Sequence, residues 1–154
     1  MIKLLFVLFV LIAFSSCKTK NKAPLFREIA AEKSGLHFNN EIKENIRMNV
    51  INYEYLYNGG GVGIGDFNGD GLPDIYFTGS VTPNKLYINQ GNMQFEDVTA
   101  SAGVSVSNRW SNGVSIVDIN NDGLMDIYVS CATLRPAAFR RNLLYVNQRT
   151  ANTG

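Results

Sequence analysis

Histidine and cysteine are scarce in this sequence. Of its 154 residues, one is histidine, His37, and two are cysteine, Cys17 and Cys131. His37 has no nucleophile or second ligand near it in sequence, which argues against a catalytic triad and a histidine-based zinc site. We therefore expect His37 to be structural. Cys131 follows β-branched and aromatic residues, so we expect a small buried side chain on a strand.

The chain also has no large excess of positive or negative charge. Fourteen Lys and Arg side chains are balanced by thirteen Asp and Glu side chains, which gives a formal net charge of +1. Domains that bind nucleic acid generally carry a marked positive excess on one face. The balance therefore argues against nucleic acid as a partner.

No apolar run is long enough to span a bilayer as a helix, which takes about 20 residues. Leu4–Phe14 comprises eleven apolar residues and follows Lys3, a pattern typical of a secretory signal peptide. The segment ends in Ser15-Ser16-Cys17, which resembles a bacterial lipobox. We predict a signal peptide at residues 1–16, a lipid on Cys17 and a polar leash over residues 17–24. An ordinary signal peptide with an incidental cysteine is the alternative.

Export across the inner membrane follows from that leader. Similarity to lipoproteins implies a lipid-anchored protein at the outer membrane, on its periplasmic or its surface face. The membrane is then a partner through the lipid alone.

A duplicated acidic nonapeptide is the most informative feature present. Asp66–Asp74 and Asp118–Asp126 both read D-x-N-x-D-G-x-x-D and hold six of the seven aspartates. Oxygen ligands at every second position of a short loop suit a hard cation, and the glycine permits a sharp turn. We predict two Ca²⁺ sites. Their ligands are the side chains of Asp66, Asn68, Asp70, Asp74, Asp118, Asn120, Asp122 and Asp126, with the backbone carbonyls of Leu72 and Leu124.

The acidic loops have two alternative interpretations, metal-free turns and EF-hands. Asp, Asn and Gly are common turn residues, so the loops could be metal-free turns, although chance would not repeat all five ligand positions. An EF-hand needs Glu at position 12, where this chain has Phe77 and Val129. Strand-forming residues follow each loop, so we expect it to join strand to strand and to hold a structural ion.

The repeat extends beyond the loops. Gly61–Tyr76 aligns with Gly113–Tyr128 at eleven of sixteen positions, and Asn84–Gln90 aligns with Asn142–Gln148. Phe95–Thr99 predicts a fourth element, and a similar segment occurs upstream at Phe26–Ile29. About four strands in roughly 50 residues are typical of a β-propeller blade. We predict an all-β fold of about two blades within residues 25–154, with repeats near 58–104 and 110–149 and an insertion at 41–57.

Here the resemblance to a family becomes specific. The acidic loops, the Gly-Val-x-Ile runs before them and the Leu-Tyr-x-Asn strands resemble FG-GAP or VCBS repeats, the calcium-bearing propeller blades also found in integrin α-subunits. The lipobox, the Phe-x-x-Val-Thr lead-in and Tyr57–Gly61 are similar to bacterial repeat proteins of the ASPIC/UnbV-associated group. The resemblance implies a calcium-stabilised, non-catalytic module for adhesion, ligand display or assembly at the cell envelope.

Members of that family are longer than this chain. A propeller closes with about four to eight blades, so two blades predict an incomplete propeller that needs neighbouring blades. A truncated chain is the expectation, and a small homo-oligomer that closes the ring is the alternative.

Four aromatic residues are candidates for ligand binding, and three glutamates are candidates for catalysis. Tyr53, Tyr55 and Tyr57 would share one face of a strand; exposed, they and Trp110 could bind a protein or carbohydrate, and buried, they would be core. A scaffold for an envelope enzyme acting on polysaccharide is the alternative function. Its acid and base would come from Glu41, Glu44 or Glu54.

Overall fold

The computed structural model describes residues 23–132 and 137–149, which form seven strands, one short helix and one 3-10 turn. In chain order the elements are α1 (Ala31–Ser34), β1 (Val62–Gly65), β2 (Asp74–Phe77), β3 (Lys85–Asn89), β4 (Phe95–Asp97), β5 (Ser111–Val117), β6 (Asp126–Cys131), the 3-10 turn (Ala137–Arg140) and β7 (Leu143–Tyr145). The predicted all-β class is confirmed. No helix in these two ranges has the length and apolarity to cross a membrane. The predicted signal peptide and Cys17 lie outside the described residues.

The strands form two antiparallel sheets. Sheet A has the order β1-β2-β3-β4 and sheet B the order β5-β6-β7, so each strand pairs with the next along the chain. Tyr76 pairs with Gly63 and Leu86 in sheet A. Tyr128, its counterpart in the repeat, pairs with Ser115 and Leu144 in sheet B. The two sheets are therefore copies of one meander, consistent with the blades of a propeller.

The sheets stack face to face. Because successive side chains alternate along a strand, each sheet has two faces, which we name front and back. The back face of sheet A carries Gly63, Tyr76, Leu86 and Ile88, and it packs on the front face of sheet B, which carries Val114, Ile116, Ile127, Val129 and Tyr145. Tyr76, Leu86, Ile127 and Val129 are buried in the shared core together with Val104 and Cys131.

Glycine in β1 permits the close approach of the two sheets. A Cβ atom at Gly63 would lie 2.7 Å from Cδ1 of Ile116, closer than side-chain atoms pack. Cys131 lies in the same core at the end of β6 and is 8% exposed, which confirms the predicted small buried residue. Burial raises the pKa of its thiol.

The prediction of a strand through Tyr53, Tyr55 and Tyr57 is wrong. Residues 45–58 form successive turns, in which the N–H of Leu56 donates to the carbonyl of Tyr53 at 3.0 Å. The physical reason lies in the asparagines. Oδ1 of Asn45 accepts from the N–H groups of residues 47 and 48, and Oδ1 of Asn49 from those of residues 51 and 52. These local bonds compete with a strand ladder and fix turns.

The similar upstream segment, Phe26–Ile29, forms no strand and has no strand partner among the described residues. It precedes α1, and Gly35 then ends that helix in a left-handed conformation with φ of 78°. From there the chain crosses the front face of sheet A, where the ring of Phe38 stacks on Phe77 at 4.8 Å. The segment thus leads to sheet A from the side opposite sheet B.

Candidate metal centre

Each acidic loop joins the first two strands of its sheet. The chain turns sharply at the fourth and sixth loop positions, where φ is positive: 79° at Gly69, 83° at Gly71, 59° at Asn121 and 84° at Gly123. Only glycine or asparagine adopts that conformation readily. The predicted strand-loop-strand unit is therefore present twice with the same backbone course.

The first aspartate of each loop lies inside the turn and accepts its N–H groups. Asp66 accepts from Gly71 at 2.9 Å, from Gly69 at 2.7 Å and from Asp70 at 3.2 Å. The bond from Gly71, supported by the other two, lowers the pKa of Asp66 despite partial desolvation. Asp118 accepts in the same way from Asp122 and Gly123, at 3.1 and 2.8 Å. Both carboxylates thus face the centre of their loops.

The last aspartate of each loop is completely buried. In the first loop, the two oxygens of Asp74 accept the N–H groups of Phe67 and Asn89, both at 2.8 Å. In the second loop, Asp126 accepts those of Ile119 at 2.9 Å and Asn147 at 2.8 Å. Each carboxylate therefore ties the start of its loop to the end of the third strand in its sheet.

Electrostatic repulsion accompanies this burial. Desolvation raises the pKa of Asp74, the N–H groups of Asn89 and Phe67 oppose the rise, and the charges of Asp70 and Asp66 add to it. The three carboxylates of the first loop are thus near enough to repel one another. A cation between them would relieve that repulsion.

The middle ligands, by contrast, are exposed and bonded locally. Asn68 donates to Asp70 through Nδ2 at 2.8 Å, and Asp70 accepts the N–H of Leu72 at 2.7 Å. The corresponding distances in the second loop are 2.8 and 2.9 Å. Within the two described ranges, no three His, Cys, Asp or Glu side chains converge in a geometry that could hold a metal. Each loop gathers its predicted ligands on one turn, with the carboxylates directed at backbone N–H groups.

The donor set nevertheless fits a hard cation. Every predicted ligand is an oxygen, from carboxylate, amide or backbone carbonyl, and such sets suit Ca²⁺ rather than zinc or copper. The exposed side chains of Asn68 and Asp70 can turn toward an ion without disturbing the core. Asp74 and Asp66 are held in place by the backbone.

Two pairs of asparagines that sequence reasoning did not single out make equivalent contacts in the two sheets, and the first of these pairs supports the acidic loops. Asn89 and Asn147 bind the buried aspartates and also donate through Nδ2 to the carbonyls of Pro73 and Met125, at 3.0 and 3.3 Å. Asn84 and Asn142 donate to the tyrosine hydroxyls of Tyr76 and Tyr128, at 3.1 and 2.6 Å. The signal was available in the repeat, because Asn-x-Leu-Tyr-x-Asn occurs in both copies.

The first loop also contacts the second sheet. Nδ2 of Asn147 donates to the carbonyl of Phe67 at 2.9 Å, and the guanidinium of Arg149 lies against Gly69. The charge of Arg149 contributes to the lowered pKa of Asp66. The first loop is therefore held by both sheets.

The aromatic candidates separate into two groups. Trp110 is buried, 7% exposed, and its ring stacks on that of Tyr53 with centroids 6.2 Å apart. Tyr55 and Tyr57 are 63% and 62% exposed, and a hydrogen bond from Tyr57 to Glu44 raises the pKa of Tyr57. Trp110 therefore belongs to the interior, and Tyr55 and Tyr57 are available to a ligand.

The glutamate candidates lie at the surface. Glu41, Glu44 and Glu54 are all exposed, and Glu41 forms an ion pair with Lys43 at 3.3 Å. A cavity of about 580 Å³ lies elsewhere, between the two sheets at their outer edges, and no Asp, Glu or His lines it. The three glutamates thus do not converge on that cavity.

Comparison with known proteins shows what the repeat is similar to. Residues 66–129 match the FG-GAP-like repeat family. The match begins at the first ligand of the first loop and includes the whole second loop. Repeats of this family are typically non-catalytic binding domains. The stacked four-stranded and three-stranded sheets are consistent with the propeller blades of such repeats.

The same region resembles cartilage acidic protein 1 from three vertebrates. The chain is 41% identical to the Mus musculus protein over 69 residues, which are 45% of this chain and 11% of that protein. It is 39% identical to the Homo sapiens protein and 35% identical to the Xenopus tropicalis protein, each over 72 residues, 46% of this chain and 11% of the relative. The similarity thus concerns one repeat region within much longer proteins.

Proposed function

We propose that this chain is a calcium-binding repeat module of the bacterial cell envelope, with a non-catalytic role in binding, adhesion or assembly. The observation that carries the proposal is the duplication of the acidic loop. Two loops with the same five ligand positions join equivalent strands and make equivalent hydrogen bonds through Asp66 and Asp118, and through Asp74 and Asp126. Two unrelated turns would not be expected to share both the ligand positions and these hydrogen bonds.

Bound Ca²⁺ would neutralise the carboxylates of each loop. The residues of this chain then have distinct tasks: Asp74 and Asp126 anchor the loop to the third strand, and Asp66 and Asp118 hold the turn closed. Asn68, Asp70, Asn120 and Asp122, with the carbonyls of Leu72 and Leu124, would complete the two sites. Because the loops lack a bidentate Glu, we expect dissociation constants of about 10⁻⁴ to 10⁻³ M, as in extracellular modules.

Localisation and partners are part of the same proposal. A lipid on Cys17 would anchor the module to the outer membrane after export, on the periplasmic or the surface face. The exposed rings of Tyr55 and Tyr57 favour a protein or carbohydrate ligand. The leader and the Phe-x-x-Val-Thr pattern support membership of the bacterial ASPIC/UnbV-associated group.

A scaffold for a polysaccharide-degrading enzyme is the second candidate. A pair of carboxylates flanking a sugar is needed for that chemistry. Glu44 and Tyr57 lie together at the surface, which is the observation that favours it. If the chain shows polysaccharide-degrading activity, replacement of Glu44 and Glu54 with Gln tests their role: unchanged activity would exclude them as catalytic residues, and loss of activity would support the enzyme.

Native mass spectrometry tests the calcium proposal by counting ions. The parent chain should bind two Ca²⁺, Asp70→Ala and Asp122→Ala should each bind one, and the double variant should bind none. Asp97→Ala is the matched control, because Asp97 is the one aspartate outside the loops and should leave two ions bound. A parent that binds no calcium at millimolar concentration would contradict the proposal.

A further inference from the structure

Asn147 contacts both acidic loops. Its side-chain Nδ2 donates to the carbonyl of Phe67 in the first loop at 2.9 Å and to the carbonyl of Met125 in the second loop at 3.3 Å. Its backbone N–H donates to the carboxylate of Asp126 at 2.8 Å. A single residue just after β7 is therefore bonded to one loop from each sheet.

A continuous path of hydrogen bonds runs through this residue between the last aspartates of the two loops. The N–H of Phe67 donates to Asp74 at 2.8 Å, and the carbonyl of Phe67 accepts from Asn147. Asn147 in turn donates to Asp126. Three bonds and two residues thus connect two completely buried carboxylates, each a predicted Ca²⁺ ligand.

Asn89, the counterpart of Asn147 in sheet A, makes the local bonds alone. Its N–H donates to Asp74 at 2.8 Å, and its Nδ2 donates to the carbonyl of Pro73 at 3.0 Å. Oδ1 of each asparagine also accepts the N–H group of the residue two positions later. Within the described residues, the bond to Phe67 is therefore what distinguishes Asn147 from its counterpart.

Side chains pack beside this path. Phe67 packs against the core that the two sheets share. A Cβ atom at Gly65 would lie 3.6 Å from Cζ of Phe67 and 3.7 Å from Cγ of Met125, so one side chain from each loop borders the same glycine. Close packing of this kind limits the movement of one loop relative to the other.

The path ends at the rigid part of each loop. Asp74 and Asp126 are buried, whereas the middle ligands of both loops are exposed and bonded locally. An ion must draw those exposed side chains inward, which costs conformational entropy. An ion that orders one loop therefore acts on the groups from which the path begins.

We propose that the two acidic loops bind calcium cooperatively and that Asn147 is the positioning residue that couples them. This inference rests on the proposed calcium function. Calcium in the first loop fixes the carbonyl of Phe67, and this carbonyl fixes Asn147 and the N–H group that it donates to Asp126. Part of the ordering of the second loop is then already present, so the second ion binds more tightly. Linkage makes the gain reciprocal between the loops.

Electrostatics acts in the opposite direction. Each loop has three aspartates, and an ion in one loop reduces the negative charge that attracts an ion to the other. Salt at about 0.15 M screens exposed charges beyond about 8 Å, and more salt screens them further. The coupling should therefore persist or increase when the salt concentration is raised to about 0.5 M, because the buried hydrogen bonds are screened much less.

Calcium titrations of residues 18–154, followed by nuclear magnetic resonance, measure the two loops separately. The N–H of Gly71 donates to Asp66 at 2.9 Å, and the N–H of Gly123 donates to Asp118 at 2.8 Å. Because both acceptors are predicted ligands, each amide resonance reports ion binding at its own loop.

Single-site variants supply the reference constants. Asp70→Ala leaves the second loop to bind alone, and Asp122→Ala leaves the first. The coupling factor is the overall constant of the parent for two ions divided by the product of these two single-site constants. It should be at least about fivefold in the parent.

The same titrations in two further backgrounds assign the coupling to Asn147. Asn147→Ala should bring the factor to about one. Asn89→Ala is the matched control, because it loses equivalent local bonds and should keep the factor of the parent. Asn147→Asp, which retains the acceptor for the N–H of Arg149 but has no side-chain donor, should behave as Asn147→Ala. Circular dichroism verifies that each variant is folded.

The possible failures are distinguishable. Absence of calcium binding by both loops at millimolar concentration would overturn the calcium function and the coupling together. Binding by both loops with a factor of about one in the parent would overturn the coupling alone, and this result needs no change at Asn147. Equal loss of the factor in Asn147→Ala and Asn89→Ala would contradict the role of the bond to Phe67.

Discussion

Replacement of Asp74 with alanine removes the acceptor of two hydrogen bonds that no solvent reaches. The carboxylate has no exposed surface, and its oxygens accept the N–H groups of Phe67 and Asn89, both at 2.8 Å. Alanine leaves both N–H groups without that partner. The connection between the loop and the end of β3 is lost at the same time.

The expected loss is large. A hydrogen bond to a charged group contributes about 1.5–3 kcal/mol, so two such bonds give a loss of about 3–6 kcal/mol for Asp74→Ala. Asp74→Asn keeps one acceptor oxygen and should lose about half of that. A domain of this size has a free energy of unfolding of about 5–15 kcal/mol, so Asp74→Ala should be close to unfolding.

Urea unfolding in the presence of chelator measures this loss without a contribution from calcium. The fluorescence of Trp110, the one tryptophan in the chain, reports the transition from a buried to an exposed ring. Asp126→Ala should lose a similar amount, because its two bonds are equivalent. Asp70→Ala is the control, since its acceptors are exposed, and it should lose less than about 1 kcal/mol. Equal losses for Asp74→Ala and Asp70→Ala would refute the reasoning.

Three further predictions follow from the core and the strand pairs. Gly63→Val should lower the free energy of unfolding by about 1–3 kcal/mol, because the added side chain forces sheet A away from sheet B. Ser115→Val, at the equivalent exposed position of sheet B, should have little effect. Equal losses for the two variants in urea unfolding would contradict this prediction. Burial alone raises the pKa of Asp97, but hydrogen bonds from Lys85 and Thr99 outweigh it and lower the pKa. This favours the ionised form in the fold, so a stabilisation of a few tenths of a kcal/mol should be present above about pH 4 and be lost as the pH falls through the lower folded pKa. Melting curves of Asp97→Asn should lack this acid-side loss. Cys131 should react with a thiol reagent far more slowly in the folded chain than in urea, because burial raises its pKa and blocks access; equal labelling rates would contradict its position in the core.

The repeat made most of the fold predictable from the sequence. β-branched and aromatic residues after each loop predict strands, and the alignment of Tyr76 with Tyr128 predicts that they take equivalent places in two sheets. The loops were predictable because their turn residues, Gly71 and Gly123, act locally. All of these signals lie within a few residues of the structure that they specify.

Contacts made at a distance in sequence were not predictable in the same way. The bond from Asn89 to Asp74 spans 15 residues and that from Asn147 to Phe67 spans 80, so no local pattern indicates either. The alternating tyrosines of residues 53–57 indicated a strand, but the side chains of Asn45 and Asn49 fix turns instead. The burial of Trp110 likewise depends on packing against Tyr53, which sequence spacing does not reveal.

Thermal melting of residues 18–154 with excess calcium and with chelator tests most directly whether the acidic loops are structural calcium sites. The melting temperature of the parent should rise with calcium, because an ion that binds only the folded state stabilises it, and the double variant Asp70→Ala, Asp122→Ala should show no rise. A cooperative transition at the same temperature with calcium and with chelator in the parent would contradict the central claim.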